Sequence, residues 1–235
     1  MVIEFDAVSS TSGIDGTVET VAHTASGSNR FLFVGVGLSA AAPGSVTGVT
    51  YNGDALAKIW DHTTGVNHRC EGWYMVDPDL GGPFNIEVTF TGEADEWCIG
   101  GVSLTGVHQT ATLGTPAENA GESATPTVDV TSAVDEWVID MIYCAATSIA
   151  AHASQTMRWE QENISGNSGG CSTEEAAGSP VTMSWTMASN DWVIGGVSIK
   201  PAADAPVGDG QPPAQTGGPS ISKGRPRMMP SGSSF

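Results

Sequence analysis

Positive charge is what this chain has least of. Lys and Arg number 8 in 235 residues against 26 Asp and Glu, a net charge of −18. The shortage is also uneven. Residues 1–200 hold five bases (Arg30, Lys58, Arg69, Arg158, Lys200) and 24 acids, or −19, whereas residues 201–235 hold Lys223, Arg225 and Arg227 against Asp204 and Asp209, or +1. Phosphate binding needs a cationic footprint, so the body is expected to contact neither nucleic acid nor an anionic membrane directly. Helical periodicity is missing from every stretch of useful length. No apolar run approaches a membrane span. Met1-Val2-Ile3-Glu4-Phe5-Asp6 enters a strand pattern with no basic n-region or apolar h-region, which predicts synthesis and folding in a cytoplasm. The four cysteines, Cys70, Cys98, Cys144 and Cys171, include no C-x-x-C pair and no clustered Cys/His spacing, so no metal or other cofactor is expected. Four cysteines allow three pairings and the sequence does not choose among them; a reducing compartment favours free thiols.

What the chain does contain is itself, twice. Trp97-Cys98-Ile99-Gly100-Gly101-Val102-Ser103-Leu104 returns as Trp192-Val193-Ile194-Gly195-Gly196-Val197-Ser198-Ile199, and Ile86–Phe90 returns as Val181–Trp185, both at an offset of 95 residues. Further upstream Phe31–Leu38 matches Trp137–Cys144, Trp60 matches Trp159 and Cys70 matches Cys171. The repeated units are period-two strands separated by Gly-rich turns, with Asn52-Gly53 as a hairpin signal. The expected fold is therefore an all-β, antiparallel β-sandwich with internal duplication. It fills residues 1–200, with repeat halves at about 17–106 and 124–200 sharing one core. Leu32, Val34, Val36, Val138 and Ile142 point into that core, and Asp140 breaks the same face and needs a partner. The mid-strand pairs Gly100-Gly101 and Gly195-Gly196 mark a kink or the close approach of a neighbour. Residues 201–235 change to Pro, Gly and Ser and read as an extended C-terminal arm.

Candidate chemistry is sparse. Gly166-Asn167-Ser168-Gly169-Gly170 fits G-x-S-x-G and is similar to the nucleophile loop of chymotrypsin-like proteases, with His152 upstream. No helix follows it, Asn167 stands where an Asp is usual, and His152 is only 16 residues away. The pentapeptide is better read as a flexible turn, so no catalytic residue is expected and Ser168→Ala should leave every property unchanged. His62 and His68, beside Asp61, match metal spacings loosely, and the pairs Asp77/Asp79 and Glu174/Glu175 lie in turns without a spaced calcium loop. Trp97 and Trp192 open strands after acidic turns, opposite the core-facing series. They are the candidate ligand or contact aromatics, with the next strand, a subunit or a sugar ring as their partner.

The segments Val46–Leu56, Gly72–Pro78, Ile86–Phe90, Gly101–Val107 and Val181–Trp185 together resemble a widespread jelly-roll-like β-sandwich module of bacterial surface proteins and of tailed-phage structural proteins. The resemblance covers roughly residues 20–200 and brings no catalytic motif. It implies a jelly-roll sandwich used in display, adhesion or assembly. With the absent export signal and the basic arm tip, it points to a non-enzymatic structural protein of a phage virion (capsid decoration, fibre or tail-associated). Such a protein is made in the host cytoplasm and binds other copies of itself and other virion proteins. The arm would attach through Lys223, Arg225, Arg227, Met228, Met229 and Phe235. The alternative is an extracellular carbohydrate-binding or adhesive module with a surface glycan as partner.

Overall fold

The computed structural model describes residues 1–39, 44–64 and 68–203. The chain divides into a compact body, Met1–Ala203, and residues 204–235. The body is all-β and antiparallel. Its strands are β1 (Glu4–Ala25), β2 (Phe31–Ser39), β3 (Val46–Tyr51), β4 (Asp54–Ala55), β5 (Ala57–Thr63), β6 (His68–Val76), β7 (Gly81–Thr105), β8 (Ala117–Ser123), β9 (Thr127–Val130), β10 (Trp137–Cys144), β11 (Ile149–Ala151), β12 (Thr156–Ile164), β13 (Asn167–Glu175), β14 (Val181–Met187) and β15 (Asn190–Ile199). Asn52 and Gly53 take positive φ and close the β3–β4 hairpin, as an Asn-Gly pair does at little steric cost.

The strand order makes the duplication explicit. In the first repeat the second half of β7 is followed by β2, β6 and β5, with the first half of β1 outside it; in the second, β8, β15, β10, β13 and β12 run in the same order. The first half of β7 lies between β3 and the second half of β1, as β14 lies between β11 and β9. Each repeat is thus an inner five-stranded layer and a smaller outer layer. Strands β1 and β7 of the first repeat run unbroken through both layers, where the second repeat uses separate strands.

Three apolar clusters fill the spaces, rather than the one shared core expected. Leu32, Val34 and Val36 pack with Val49, Ile86, Val88 and Trp97 inside the first repeat. Val138 and Ile142 pack with Val128, Met183 and Trp185 inside the second. The opposite faces of the same strands, carrying Phe31, Phe33, Ile139, Met141 and Tyr143, meet between the repeats. Inner strands are therefore covered on both sides. That is why all nine residues of β2 are buried and why its sequence is apolar without alternation.

Trp60 and Trp159 each follow a bulge at the same place in β5 and β12. Each indole crosses to the other repeat. Trp60 lies on Gly195 and Trp159 on Gly100, where any Cβ would overlap the ring. Gly101 and Gly196 open the other faces of their strands, to Ile86 and Val130 of their own cores. The glycine pairs thus mark close approach on both faces of a covered strand.

The register also corrects one repeat match. Cys171 pairs with Met141 and Gly72 with Gly35, so Cys171 is the counterpart of Gly72 and Cys70 that of Gly169. Cys70 and Cys171 lie within β6 and β13. All four thiols are free and buried. Burial pushes the Cys70 and Cys98 thiols well above their ordinary range, and the Cys144 thiol up to about 12.

Trp60→Ala should cost about 3–5 kcal/mol, as for other buried tryptophans, and Gly195→Ala about 1–3 kcal/mol by overpacking. The double variant should cost clearly less than the sum, because the alanine methyl enters space the indole has left. Denaturant unfolding of the four proteins gives this comparison; additive costs would separate the two residues.

Candidate functional site

Most residues with chemical potential serve the framework. Asn167–Gly170, expected in a flexible turn, forms the buried start of β13, and only Gly166 keeps positive φ. Ser168 is fully buried; its Oγ donates to the Ala146 carbonyl at 2.6 Å and accepts from the Asn163 N–H at 3.2 Å. Ser168→Ala therefore cannot be silent: it leaves two backbone groups short of a partner, and should cost about 1–3 kcal/mol of stability. His62 and His68 part company, His62 meeting Glu118 at 3.1 Å and His68 meeting Asn167 at 3.0 Å. Asp77 pairs with Arg30, and Asp79 accepts from Asn52 at 2.7 Å.

Trp97 and Trp192 are each 5% exposed, which removes them as ligand platforms in the folded body. Glycines on the neighbouring strand make room for them. The Trp97 indole covers Gly13 and Gly16 of β1, and that of Trp192 covers Gly121 of β8 while its Nε1 donates to Ser123 at 2.9 Å. The arm residues Lys223, Arg225, Arg227, Met228, Met229 and Phe235 lie outside the described residues. The preceding Pro201 and Ala202 belong to the body: Ala202 N–H donates to Gly106 at 2.7 Å and its carbonyl accepts from the Met1 ammonium at 3.1 Å.

Each repeat buries one carboxylate against a tryptophan. Glu71 accepts from Trp73 Nε1 at 3.2 Å and the Val46 N–H at 2.9 Å, and meets Lys58 at 2.8 Å. Burial raises the Glu71 pKa, and the hydrogen bond from Lys58 opposes the rise. Asp140 has the partners that its position demanded. Its Oδ2 accepts from Trp185 Nε1 at 2.6 Å and its Oδ1 from Ser172 N–H and Oγ at 2.8 and 2.7 Å. Gln155 donates to Ser172 Oγ at 2.6 Å and accepts from the Ser184 N–H at 2.7 Å. No cation is among these partners. Burial pushes the Asp140 carboxyl up to about 7, with the Trp185 and Ser172 donors opposing.

An open recess of about 500 Å³ lies beside this network. The turn after β11 and the loop before β14 form its walls, with His152, Ser154, Glu174, Pro180, Thr182 and Ser184 lining it. Ser154 Oγ donates to Glu174 at 2.8 Å and lies 2.9 Å from His152 Nδ1. The hydroxyl is thus directed at a carboxylate, and together they offer an acceptor to hydroxyl or ammonium groups. A smaller recess of about 270 Å³ shares Ser154 and Glu174 and adds Trp137 and Arg158. The Arg158 guanidinium sits 4.5 Å from the Phe5 ring centre and 5.3 Å from that of Trp137, and its Nε donates to Thr173 at 2.7 Å. Sequence reasoning missed Arg158 and Ser154, since Phe5, Trp137 and Arg158 meet only across the repeat seam.

A raised Asp140 pKa means that the folded state keeps a proton that the unfolded chain loses between about pH 4 and 7. Stability from this group is present below pH 4 and lost as pH rises toward 7. His23, buried and lowered to about 4, acts oppositely and gains stability as pH rises toward 6.5. The two slopes oppose each other in the native protein. Asp140→Asn should gain on the native protein by on the order of 4 kcal/mol between pH 4 and 7, read from paired denaturant curves; a pH-independent difference would place Asp140 at its ordinary pKa.

No family model, no curated protein and no solved structure matches this chain.

Proposed function

We propose that this chain is a non-enzymatic structural protein of a phage virion, a capsid decoration, fibre or tail-associated component. It is made in the host cytoplasm and assembles with copies of itself and other virion proteins through its β-sandwich and its C-terminal arm. One observation carries the reading: four of the body's five cations are engaged by its own carboxylates, carbonyls or rings. Arg30 bonds Asp77 and the Pro78 and Gly27 carbonyls, Lys58 and Arg69 bond Asp61 and Glu71, and Arg158 stacks on two rings. The surface is left to carboxylates, while the last 16 residues carry Lys223, Arg225 and Arg227 with no acid. An acidic body and a basic tip are complementary between copies. Charge steers such an encounter and is screened beyond about 8 Å at physiological salt, so lasting attachment falls to burial of Met228, Met229 and Phe235.

A second reading, an extracellular carbohydrate-binding or adhesive module, is favoured by the recess at Ser154 and Glu174, whose hydroxyls and carboxylate suit a polyol. A glycan array with Glu174→Ala as the control tests it.

Removal of residues 204–235 should leave a folded body with an unchanged melting temperature that no longer forms ordered assemblies. Replacing Lys223, Arg225 and Arg227 by Ser should slow assembly by about tenfold or more, since steering by charge acts on encounter rates. Electron microscopy and time-resolved light scattering read both outcomes. Assembly of the truncated chain at the full-length rate would refute the arm's role.

A further inference from the structure

Exposed apolar surface on this body is concentrated in one place. Among the described residues eight large apolar side chains are exposed, and six of them, Met1, Val2, Phe5, Val8, Ile14 and Val18, lie in the first 18 residues. Five of those six are between 41% and 72% exposed, and Phe5 is 40% exposed. All but Met1 and Val2 are on β1, which runs for 22 residues without a proline and, among the described residues, pairs only with β7. Its other edge therefore presents backbone donors and acceptors beside apolar side chains, the combination that recruits a further strand.

The second repeat shows what a protected version of the same edge looks like. Its counterpart is broken into β8 and β9 by Ala124-Thr125-Pro126, and β8 exposes Glu118, Asn119 and Glu122. Interruption, proline and charge are the usual defences of an edge. The two repeats otherwise share one strand order, so the open edge of β1 is a property of this strand and not of the fold.

We propose that β1 is a homodimer interface, pairing antiparallel with β1 of a second copy about a two-fold axis at Thr11. From Ala7 to Ile14 the ladder with β7 has no register shift, and Asp15, at positive φ, ends this regular stretch. A two-fold at Thr11 sets Val8 opposite Ile14 of the second copy and Ser10 opposite Ser12. The apolar side chains then meet each other and no carboxylate faces another within the stretch. An isologous contact requires this kind of self-complementarity. The side wall is two layers deep. Gln161 of β12 accepts from Ser12 Oγ at 2.8 Å and donates to Ser10 Oγ at 3.0 Å, and the outer edge of β12 is unpaired among the described residues. A stable interface takes roughly 20–30 residues and about 800 Å² from each partner. The regular stretch of β1, the β12 edge and the flanking Val2, Phe5 and Val18 supply about that number. The contact is distinct from arm-mediated assembly and stands whether or not the chain belongs to a virion.

Sedimentation equilibrium of the full chain should give a dimer at micromolar concentration, and the dimer should persist at about 0.5 M salt, where charge steering by the arm is screened. Val8→Lys with Ile14→Lys should weaken the dimer at least tenfold while circular dichroism and melting temperature stay near native, since both side chains are exposed. Thr11→Cys should form a disulfide-linked dimer under mild oxidation, and Thr186→Cys, on the exposed face of β14, should not. The four native thiols are buried and do not compete. A monomeric native protein, a dimer that both lysines leave intact, or a Thr11→Cys chain that cross-links no faster than Thr186→Cys would each overturn the proposal.

Discussion

Two tryptophans exchanged for two glycines hold the halves of this body together. Trp60 occupies the space above Gly195, and Trp159 the equivalent space above Gly100. A large flat side chain on a bulged edge strand needs a strand with no Cβ to receive it, and the duplication supplies one of each per repeat. The contact fixes the register between the inner layers. Once that register is set, the remaining pairs follow: Met141 over Gly35, and Tyr143 over Gly37. These two repeat the same logic with other residues. Dispersion and area burial make such contacts worth several kcal/mol each in well-packed interiors.

The polar interior follows from the same layering. A strand covered on both faces has no solvent side on which to place a carboxylate. Asp140 and Glu71 sit on such strands, and each is satisfied by a tryptophan N–H and by backbone or side-chain donors brought from other strands. The two solutions differ. Glu71 retains a lysine at the repeat's edge, whereas Asp140, at the centre of its sheet, has only neutral donors and so drifts toward its neutral form. The repeats share a strand order but not a polar core.

Strand identity and duplication were legible because alternation and the two W-x-I-G-G-V-S segments are local in sequence. Layering was not. Leu32 and Phe33 are both apolar, and nothing in Phe31–Leu38 says that one face looks to its own repeat and the other across the seam. Trp97 and Trp192 do lie against the next strand, one of the partners expected for them, but which residues receive them was not legible, for a related reason. Their partners, Gly13, Gly16 and Gly121, lie on strands far away in sequence, and a glycine gives no sign of what it makes room for. The stretch Gly166–Gly170 misled in the opposite sense, since Gly169 and Gly170 serve packing against Tyr143 and Trp185 rather than a turn. Of the recess, Ser154 was not singled out, and Glu174 was read only as one of a pair in a turn, whereas both Glu174 and Glu175 end β13.

The long β1–β7 pairing also has a bearing on how the chain comes off the ribosome. Glu4 pairs with Thr105 and Ala25 with Gly81, so the first strand finds its place only after about a hundred residues have been made. The first repeat can then close on its own cluster while Phe31, Phe33, Val102 and Leu104 still face water, because Ile139, Met141 and Val197 have not been synthesised. For the time needed to translate another hundred residues, at roughly 5–20 residues per second, the nascent half carries a flat apolar face whose natural complement is a copy of its own architecture. Crowded ribosomes on one message would present such faces to one another, and the speed with which the second half arrives decides whether each is covered by its own chain or by a neighbour's.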